Sequence, residues 1–310
     1  MNKQSISVFA PATVANVACG FDVLGFAVEQ PGDTVKLTLN NTQVVSITSI
    51  AGDGGRLPLA APKNTAGVAI IEYLRHIGKE QGVEISIEKK LPLGSGLGSS
   101  AASSAAAVVG INELMGKPLS RKELVPFAME AERIACGAAH ADNVAPAILG
   151  GFVLVRSYEP LDIIEIPSPD NLFCAVVNPH IELRTEDARK VLRREVQLHD
   201  AIAQWGNLAA LIAGLMKPDF NLIGRSLHDV VAEPMRALLI PGFNDIKDAA
   251  LNAGALGCSI SGSGPSVFAL CEHSTIAQNV ALAMQQAFAA IDLNSDAYIS
   301  KVNKSGAAIV

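Results

Sequence analysis

The chain lacks the patterns that define several large protein classes. Its 310 residues hold five cysteines, at positions 19, 136, 174, 258 and 271, and no two of them form a Cys-X-X-Cys pair. An odd, scattered set of thiols supplies neither a disulfide framework nor a thiolate zinc site, so most read as small core residues. Basic residues do not dominate: 24 Lys and Arg stand against 30 Asp and Glu, for a net charge of −6. That balance argues against a nucleic-acid partner, which calls for a basic stripe. No run is long and apolar enough for a membrane span, which argues against a membrane partner. The first residues, Met1-Asn-Lys-Gln-Ser, lack the continuous apolar region of a secretory signal, and with reduced thiols this predicts a cytoplasmic protein. Internal repeats and low-complexity tracts are absent.

What is present is material for a large core. Hydrophobic residues make up 49% of the chain and charged residues 17%, a composition that excludes disorder. Alternating and helical patterns interleave throughout. Strands are predicted over Ser5–Ala10 and Val83–Lys89, and Asp33–Leu39 with Gln43–Ser49 reads as a hairpin. Asn64–Ile77 reads as a helix, as do 99–115 and a segment capped by Ser120 with Glu123 in capping-box spacing. Gly137–Pro146 reads as a loop and Phe152–Ser157 as a strand. In the second half, Leu172–Asn178, Cys258–Ser261, Val267–Cys271 and 297–302 read as strands. Helices are predicted over 185–217, 219–231, 244–253 and 275–290. The class is α+β or α/β. Glu159-Pro160 and Pro167-Ser-Pro169 interrupt the pattern, which places a domain boundary near 165 and divides the chain into 1–165 and 166–310.

The most informative segment is Pro92-Leu-Gly-Ser-Gly-Leu-Gly-Ser-Ser-Ala-Ala102. Gly94, Gly96 and Gly98 alternate with other residues between a strand and an Ala-rich helix. Without a Cβ the backbone approaches a ligand closely, and the helix start adds free N–H groups and a positive dipole end. Together these make a phosphate cradle. It is neither a Walker loop, which needs Gly-Lys-Ser/Thr, nor a dinucleotide loop, because position 99 is Ser rather than Gly.

Four further constellations accompany it. Asn16 and Asp22 are polar in an apolar stretch, suited to an ammonium and a hydroxyl, although turn chemistry explains them equally well. Glu132 precedes His140-Ala-Asp142-Asn143. Glu132 with the Ser100 hydroxyl would suit Mg²⁺ beside phosphate, but alone it fits a solvated helix face. Arg189 and Arg236 could converge on one anion or be ordinary surface charge. Ser261-Gly-Ser-Gly-Pro265 is a close-approach turn or a plain connection.

Taken together, Pro11–Asp22, the Pro92–Ala102 loop and Gly257–Pro265 resemble, in order and over the whole chain, the three motifs of the GHMP small-molecule kinases. Ala15-Asn16, Gly20-Phe-Asp22-X-Leu-Gly25, His140-X-Asp-Asn-Val-Ala-Pro146, Thr185-X-X-Ala-Arg189 and Glu233-Pro with Arg236 resemble the branch that acts on an amino acid. The resemblance implies a ribosomal-S5-like N-terminal domain that binds ATP, a ferredoxin-like C-terminal domain and a homodimer. It also implies phosphorylation of the side-chain hydroxyl of L-homoserine by MgATP, on the route to threonine.

Position by position, the resemblance implies that Asn16, Asp22, His140, Asp142, Thr185, Arg189 and Arg236 line the amino-acid site. Asp22 would take the ammonium, and the two arginines the carboxylate. Asp142 and Asn143 would be the catalytic pair, with Asp142 either a general base or a binding group. Pro92, Leu93, Gly94, Ser95, Gly96, Leu97, Gly98, Ser99 and Ser100 would form the ATP loop, with Asn64 near the adenine. Ser100 and Glu132 would hold the magnesium. The chain departs from the motifs at Ala18-Cys19, where the family usually has Gly-Pro, and at Cys136-Gly137, usually Ser-Gly. Cys19 beside the site is expected to make the activity sensitive to thiol oxidation. A sugar or mevalonate kinase, or a non-catalytic metabolite binder, would be the rival reading.

Overall fold

The computed structural model describes residues 4–137 and 139–310. The elements, in chain order, begin with β1 (Ser5–Ala15), β2 (Leu24–Asn40), β3 (Val45–Ala51), α1 (Thr65–His76), β4 (Gly82–Glu88), α2 (Ser99–Leu114), α3 (Arg121–Cys136) and α4 (Ala141–Leu149). Next come β5 (Phe152–Tyr158), β6 (Leu161–Ile166), β7 (Phe173–Pro179), α5 (Thr185–Lys190), α6 (Leu198–Met216), α7 (Phe220–Ser226) and α8 (Glu233–Arg236). The chain finishes with α9 (Phe243–Asn252), β8 (Gly257–Ile260), β9 (Val267–Cys271), α10 (Ser274–Ala289), β10 (Ser295–Lys301) and β11 (Ala308–Ile309). Among the described residues no helix is long and apolar enough to cross a membrane.

A seven-stranded sheet runs β11-β1-β2-β4-β3, with β5 on β2 and β6 on β5. A four-stranded antiparallel sheet, β10-β7-β9-β8, follows. Numbered within that unit, its order is 4-1-3-2 and its chain path is strand, helices, hairpin, helix, strand, which is ferredoxin-like. The first sheet is covered by α1 to α4, with α2 innermost. That helix is Ala- and Ser-rich, buried on all sides from Ala101 to Asn112, and lets α1 and α3 pack close. Phe26 stacks on Phe152 at 4.6 Å and meets Phe268 edge-on at 6.2 Å, so aromatic packing joins the core of the first sheet to the second.

Four sequence expectations are corrected, the smallest being the helix predicted over 219–231, which ends at Ser226. Asp33–Leu39 and Gln43–Ser49 do form strands, but they do not pair as a hairpin. β4 lies between them, antiparallel to β2 and parallel to β3. Alternation identifies a strand and its buried face but carries no record of its partner, and the β3–α1–β4 crossover places the later strand in the slot.

Gly137–Pro146 is not all loop, because α4 begins at Ala141. Pro146 inside that helix has no N–H for the Asp142 carbonyl. Gly25 backs directly onto that carbonyl, where any Cβ would collide with it. The predicted helix over 185–217 is two helices, with residues 191–197 between them not helical. Polar Arg193, Arg194 and Glu195 there offer no apolar face to bury, and all three are exposed.

Candidate active site

One cavity of about 710 Å³ runs between the two sheets' loops and holds almost every singled-out residue. Its lining takes in Asn16, Asp22, Asn64, Leu93, Gly94, Ser95, Gly96, Gly98, Ser99, Ser100, Glu132, His140, Asp142, Asn143, Thr185, Arg189 and Arg236. Pro92 and Leu97 lie outside it. The Leu97 side chain belongs to the core, and its carbonyl accepts from the Thr13 amide at 3.1 Å.

The phosphate end is made of backbone. Gly94, Gly96 and Gly98 have φ of 67°, 78° and 66°, and Gly98 is the left-handed N-cap of α2. Gly96 has no room for a side chain, since a Cβ would press on the Ser261 and Gly264 carbonyls. Ser261 Oγ donates to the Gly96 carbonyl at 2.8 Å, and the Ser266 amide donates to the Ser95 carbonyl at 3.1 Å. The Ser261–Pro265 turn, for which the sequence left a plain connection open, is therefore docked on the glycine loop. Asn64 caps α1, accepting from the Ala66 amide at 3.1 Å and donating to the Pro58 carbonyl at 3.1 Å. Glu132 is 4% exposed rather than part of a solvated face.

The opposite end is made of side chains. Arg189 Nη2 donates to both Asp22 carboxylate oxygens, at 2.9 and 3.0 Å, and lies 2.7 Å from His140 Nε2. Arg236 is buried, with Nη1 donating to the Gly262 carbonyl at 2.8 Å and Nε to the Ala188 carbonyl at 3.3 Å. Asn16 Nδ2 reaches the same Gly262 carbonyl at 2.7 Å, while its Oδ1 accepts from the Asp22 amide at 2.9 Å. Thr185 Oγ1 lies 3.3 Å from Ser263 Oγ. Asn143 Oδ1 accepts from Thr13 Oγ1 at 2.9 Å.

Two buried atoms at this end, Asp142 Oδ1 and Arg189 Nε, have no hydrogen-bond partner. Burial, with the Asp22 charge adding to it, pushes the Asp142 carboxyl up to about 7. Burial also lowers the His140 imidazole, with Arg189 acting in the same direction, so it is neutral near pH 7.

Several contributors escaped the sequence reading. Phe21 carries both guanidinium groups over its ring, Arg236 at 4.9 Å and Arg189 at 5.9 Å from the centroid. Lys89 lines the phosphate end, although its place at the end of a predicted strand gave no hint of that. An inward-pointing charge at the edge of an apolar alternation is the signal that would have found it. The Asn16 loop is strained: Asn16, Val17 and Ala18 have φ of 68°, 43° and 57°. Ala18 thus holds a left-handed position where the family motif usually has Gly. Cys19 is buried, and burial pushes its thiol up to about 12. The expected oxidation sensitivity is corrected accordingly, since a protonated, enclosed thiol is a poor nucleophile. Cys136 lies where the side chains are outside the described residues.

The chemistry of the donors also bears on a divalent cation. Ser100 and Glu132 line the same cavity as the glycine loop, and among the described residues no group of three His, Cys, Asp or Glu side chains gathers to hold a metal ion. One carboxylate and one hydroxyl beside phosphate oxygens fit Mg²⁺, which takes few protein ligands and shares its shell with phosphate and water.

Comparison with known proteins places both halves of the chain in one family. Residues 64–151 match the GHMP kinases N terminal domain and residues 211–290 the GHMP kinases C terminal domain. A homoserine kinase from Chlorobium phaeobacteroides is 56% identical over 319 residues, covering 99% of this chain and all of that protein. The crystal structure of a homoserine kinase from Cytophaga hutchinsonii superposes with a TM-score of 0.98 at 57% identity, covering 100% of this chain and 98% of that one. An L. major mevalonate kinase in complex with R-mevalonate shares the fold at 17% identity, with a TM-score of 0.72 over 97% of this chain and 99% of that one. With identity above half over nearly the whole length and both family domains in place, the chain belongs to the homoserine kinases of the GHMP kinase family.

Proposed function

We propose that the protein transfers the terminal phosphoryl group of ATP to the side-chain hydroxyl of L-homoserine, giving O-phospho-L-homoserine for threonine synthesis. The observation that carries this reading is the Asp22–Arg189 pair, with Arg236 beside it, in the cavity that the glycine loop borders. An α-amino acid carries an ammonium and a carboxylate one carbon apart, so it complements an acid and a base held side by side. A sugar offers the arginines no carboxylate, and mevalonate offers Asp22 no ammonium.

In this reading Asp22 takes the ammonium and Arg189 and Arg236 hold the carboxylate. Asn16, Thr185 and neutral His140 complete the wall. Arg189 Nε, partnerless here, gains an acceptor when the substrate carboxylate arrives. The loop amides from Leu93 to Ser100 and the α2 dipole hold the triphosphate, with the adenine toward Asn64. Ser100 and Glu132 would hold Mg²⁺, which supplies charge neutralisation at the phosphates when bound.

Phosphoryl transfer needs positioning and charge stabilisation more than covalent help. Asp142 receives the hydroxyl proton at its partnerless Oδ1, because a carboxyl raised to about 7 is basic enough to accept it yet ionised above that pH. Asn143, tied to Thr13, orients the same hydroxyl. We also divide the chain at 165/166, with ATP held mainly by the first part. We extend the same reading to a cytoplasmic homodimer, which the family likeness supports.

A coupled ADP-release assay with MgATP and L-homoserine, L-threonine, L-serine, mevalonate and galactose tests the reading. Strong turnover with L-homoserine alone supports it. Turnover with another alcohol overturns the assignment of the Asp22–Arg189 pair, and ATP binding without turnover on any substrate overturns the enzymatic reading.

A further inference from the structure

Beneath the glycine loop lies a buried ion pair that the chemistry above does not use. Lys89 follows β4, and Asp33 belongs to the neighbouring strand β2. Their side chains are 1% and 0% exposed and in direct contact. Lys89 Nζ also donates to the Ser99 carbonyl at 2.7 Å and to Ser103 Oγ at 2.9 Å. Asp33 Oδ1 accepts from the Lys90 amide at 2.8 Å and the Leu91 amide at 3.0 Å. Lys90 and Leu91 lead into the loop, while Ser99 and Ser103 belong to the first turns of the helix that leaves it. A single ion pair therefore grips both limbs.

Stability alone is a weak reason for such a pair. Two charges lose more hydration on burial than a well-packed apolar pair of the same size, and apolar replacement is often neutral or favourable. A fixed geometry is a better reason. Each charge is committed to several directed bonds, and those bonds end on Lys90, Leu91, Ser99 and Ser103, at the two limbs of the loop whose amides are read as facing the triphosphate. Donors aimed in advance need no reorganisation when charge arrives.

We propose that Asp33 and Lys89 are positioning residues, clamping residues 90–91 onto residues 99–103 so that the loop amides are aimed before ATP binds. The proposal rests on the reading of residues 92–100 as the ATP loop. It assigns the Lys89 charge to Asp33 rather than to the nucleotide, although Lys89 also borders the cavity.

The test measures Kd for MgATP and KM for L-homoserine in wild type, Asp33→Asn, Lys89→Met and a doubly apolar Asp33→Leu/Lys89→Met variant. The clamp predicts that Asp33→Asn and Lys89→Met each weaken ATP about tenfold or more, that the double variant is no worse than the single ones, and that KM for homoserine stays within about twofold. Wild-type ATP affinity in a folded Asp33→Asn protein, with the loss confined to Lys89→Met, overturns the clamp in favour of a direct Lys89–phosphate contact. An equal rise for both substrates overturns it in favour of general loosening.

A measurement on the wild type covers variants that do not fold. Amide exchange at Lys90 and Leu91 without nucleotide should be as slow as in β4, and fast exchange at these two amides overturns the proposal. Failure of the wild type to bind ATP at all would defeat the loop reading itself, a result distinct from every variant outcome.

Discussion

The two ends of the cavity are built by opposite means, and in the proposed reading each would recognise its ligand accordingly. The phosphate end uses main-chain amides from one continuous segment, set by left-handed glycines and locked against the Ser261–Pro265 turn. The amino-acid end uses side chains from β1's exit, α4, α5 and α8, held by one another and by carbonyls. The first end has its loop carbonyls held by residues 261 and 266, whereas the second keeps two buried side-chain atoms, Asp142 Oδ1 and Arg189 Nε, without partners. A ligand common to many proteins is met by backbone geometry, and the ligand that makes this protein specific is met by charges whose bonding is incomplete until it arrives. Substitutions at the two ends should therefore fail in different ways.

The largest effect is expected at Asp142. Asp142→Asn should lower kcat by about a thousandfold while KM for homoserine stays within about threefold, as steady-state kinetics would show. A rise in KM alone would reduce Asp142 to a binding group. The wild-type pH profile carries the same information. Burial raises this carboxyl to about 7, so the proton-accepting form is present above that value and lost below it. Accordingly kcat/KM should fall about tenfold per pH unit on the acid side, and Asp142→Asn should abolish that limb.

Next in size is Arg236→Met, which removes a buried charge over Phe21 and, in the proposed reading, a grip on the carboxylate. KM for homoserine should rise about a hundredfold, with Kd for ATP little changed. Gly96→Ala should show the reverse pattern. Its φ of 78° and the carbonyls facing it leave no place for a methyl group. A loss of about 2 kcal/mol in stability and a weaker ATP affinity at unchanged homoserine KM are expected from denaturation and titration. The smallest effect is at Cys19, where a thiol-alkylating reagent at neutral pH should leave activity unchanged.

The contrast between the ends also explains what the sequence revealed. The phosphate loop was legible because its chemistry is local: three glycines, a strand before them and a helix after them sit within one short window. The strands were legible by alternation, but β4's place between β2 and β3 was not, since pairing is decided by a crossover and not by either strand's own pattern. Asp22 could be singled out but not joined to the arginines, because it lies 167 residues from Arg189 and meets it only in the fold. A family resemblance supplied that juxtaposition. The pairing of Asp33 with Lys89 was not legible, because an inward-pointing charge can be noticed in one strand but its buried partner appears only when both alternations are placed on adjacent strands. Phe21 was passed over for a similar reason, as its ring matters only through the two guanidinium groups above it.

The stretch after β10 has a bearing on how the protein comes into being. Its Asn303 amide bonds to the Ala27 carbonyl at 2.8 Å, the Ala307 amide to the Ala147 carbonyl at 2.8 Å, and β11 pairs with β1. Arg121 gathers the Ile148, Ser305 and Ala307 carbonyls at 2.7 to 2.8 Å, tying this stretch to the end of α4. During synthesis these residues emerge some 160 positions after the helix that carries Asp142. The glycine loop gains its docking partner once residues 261–266 have been made, whereas the helix that carries Asp142 gains its last supports only once residues 303–309 have left the ribosome.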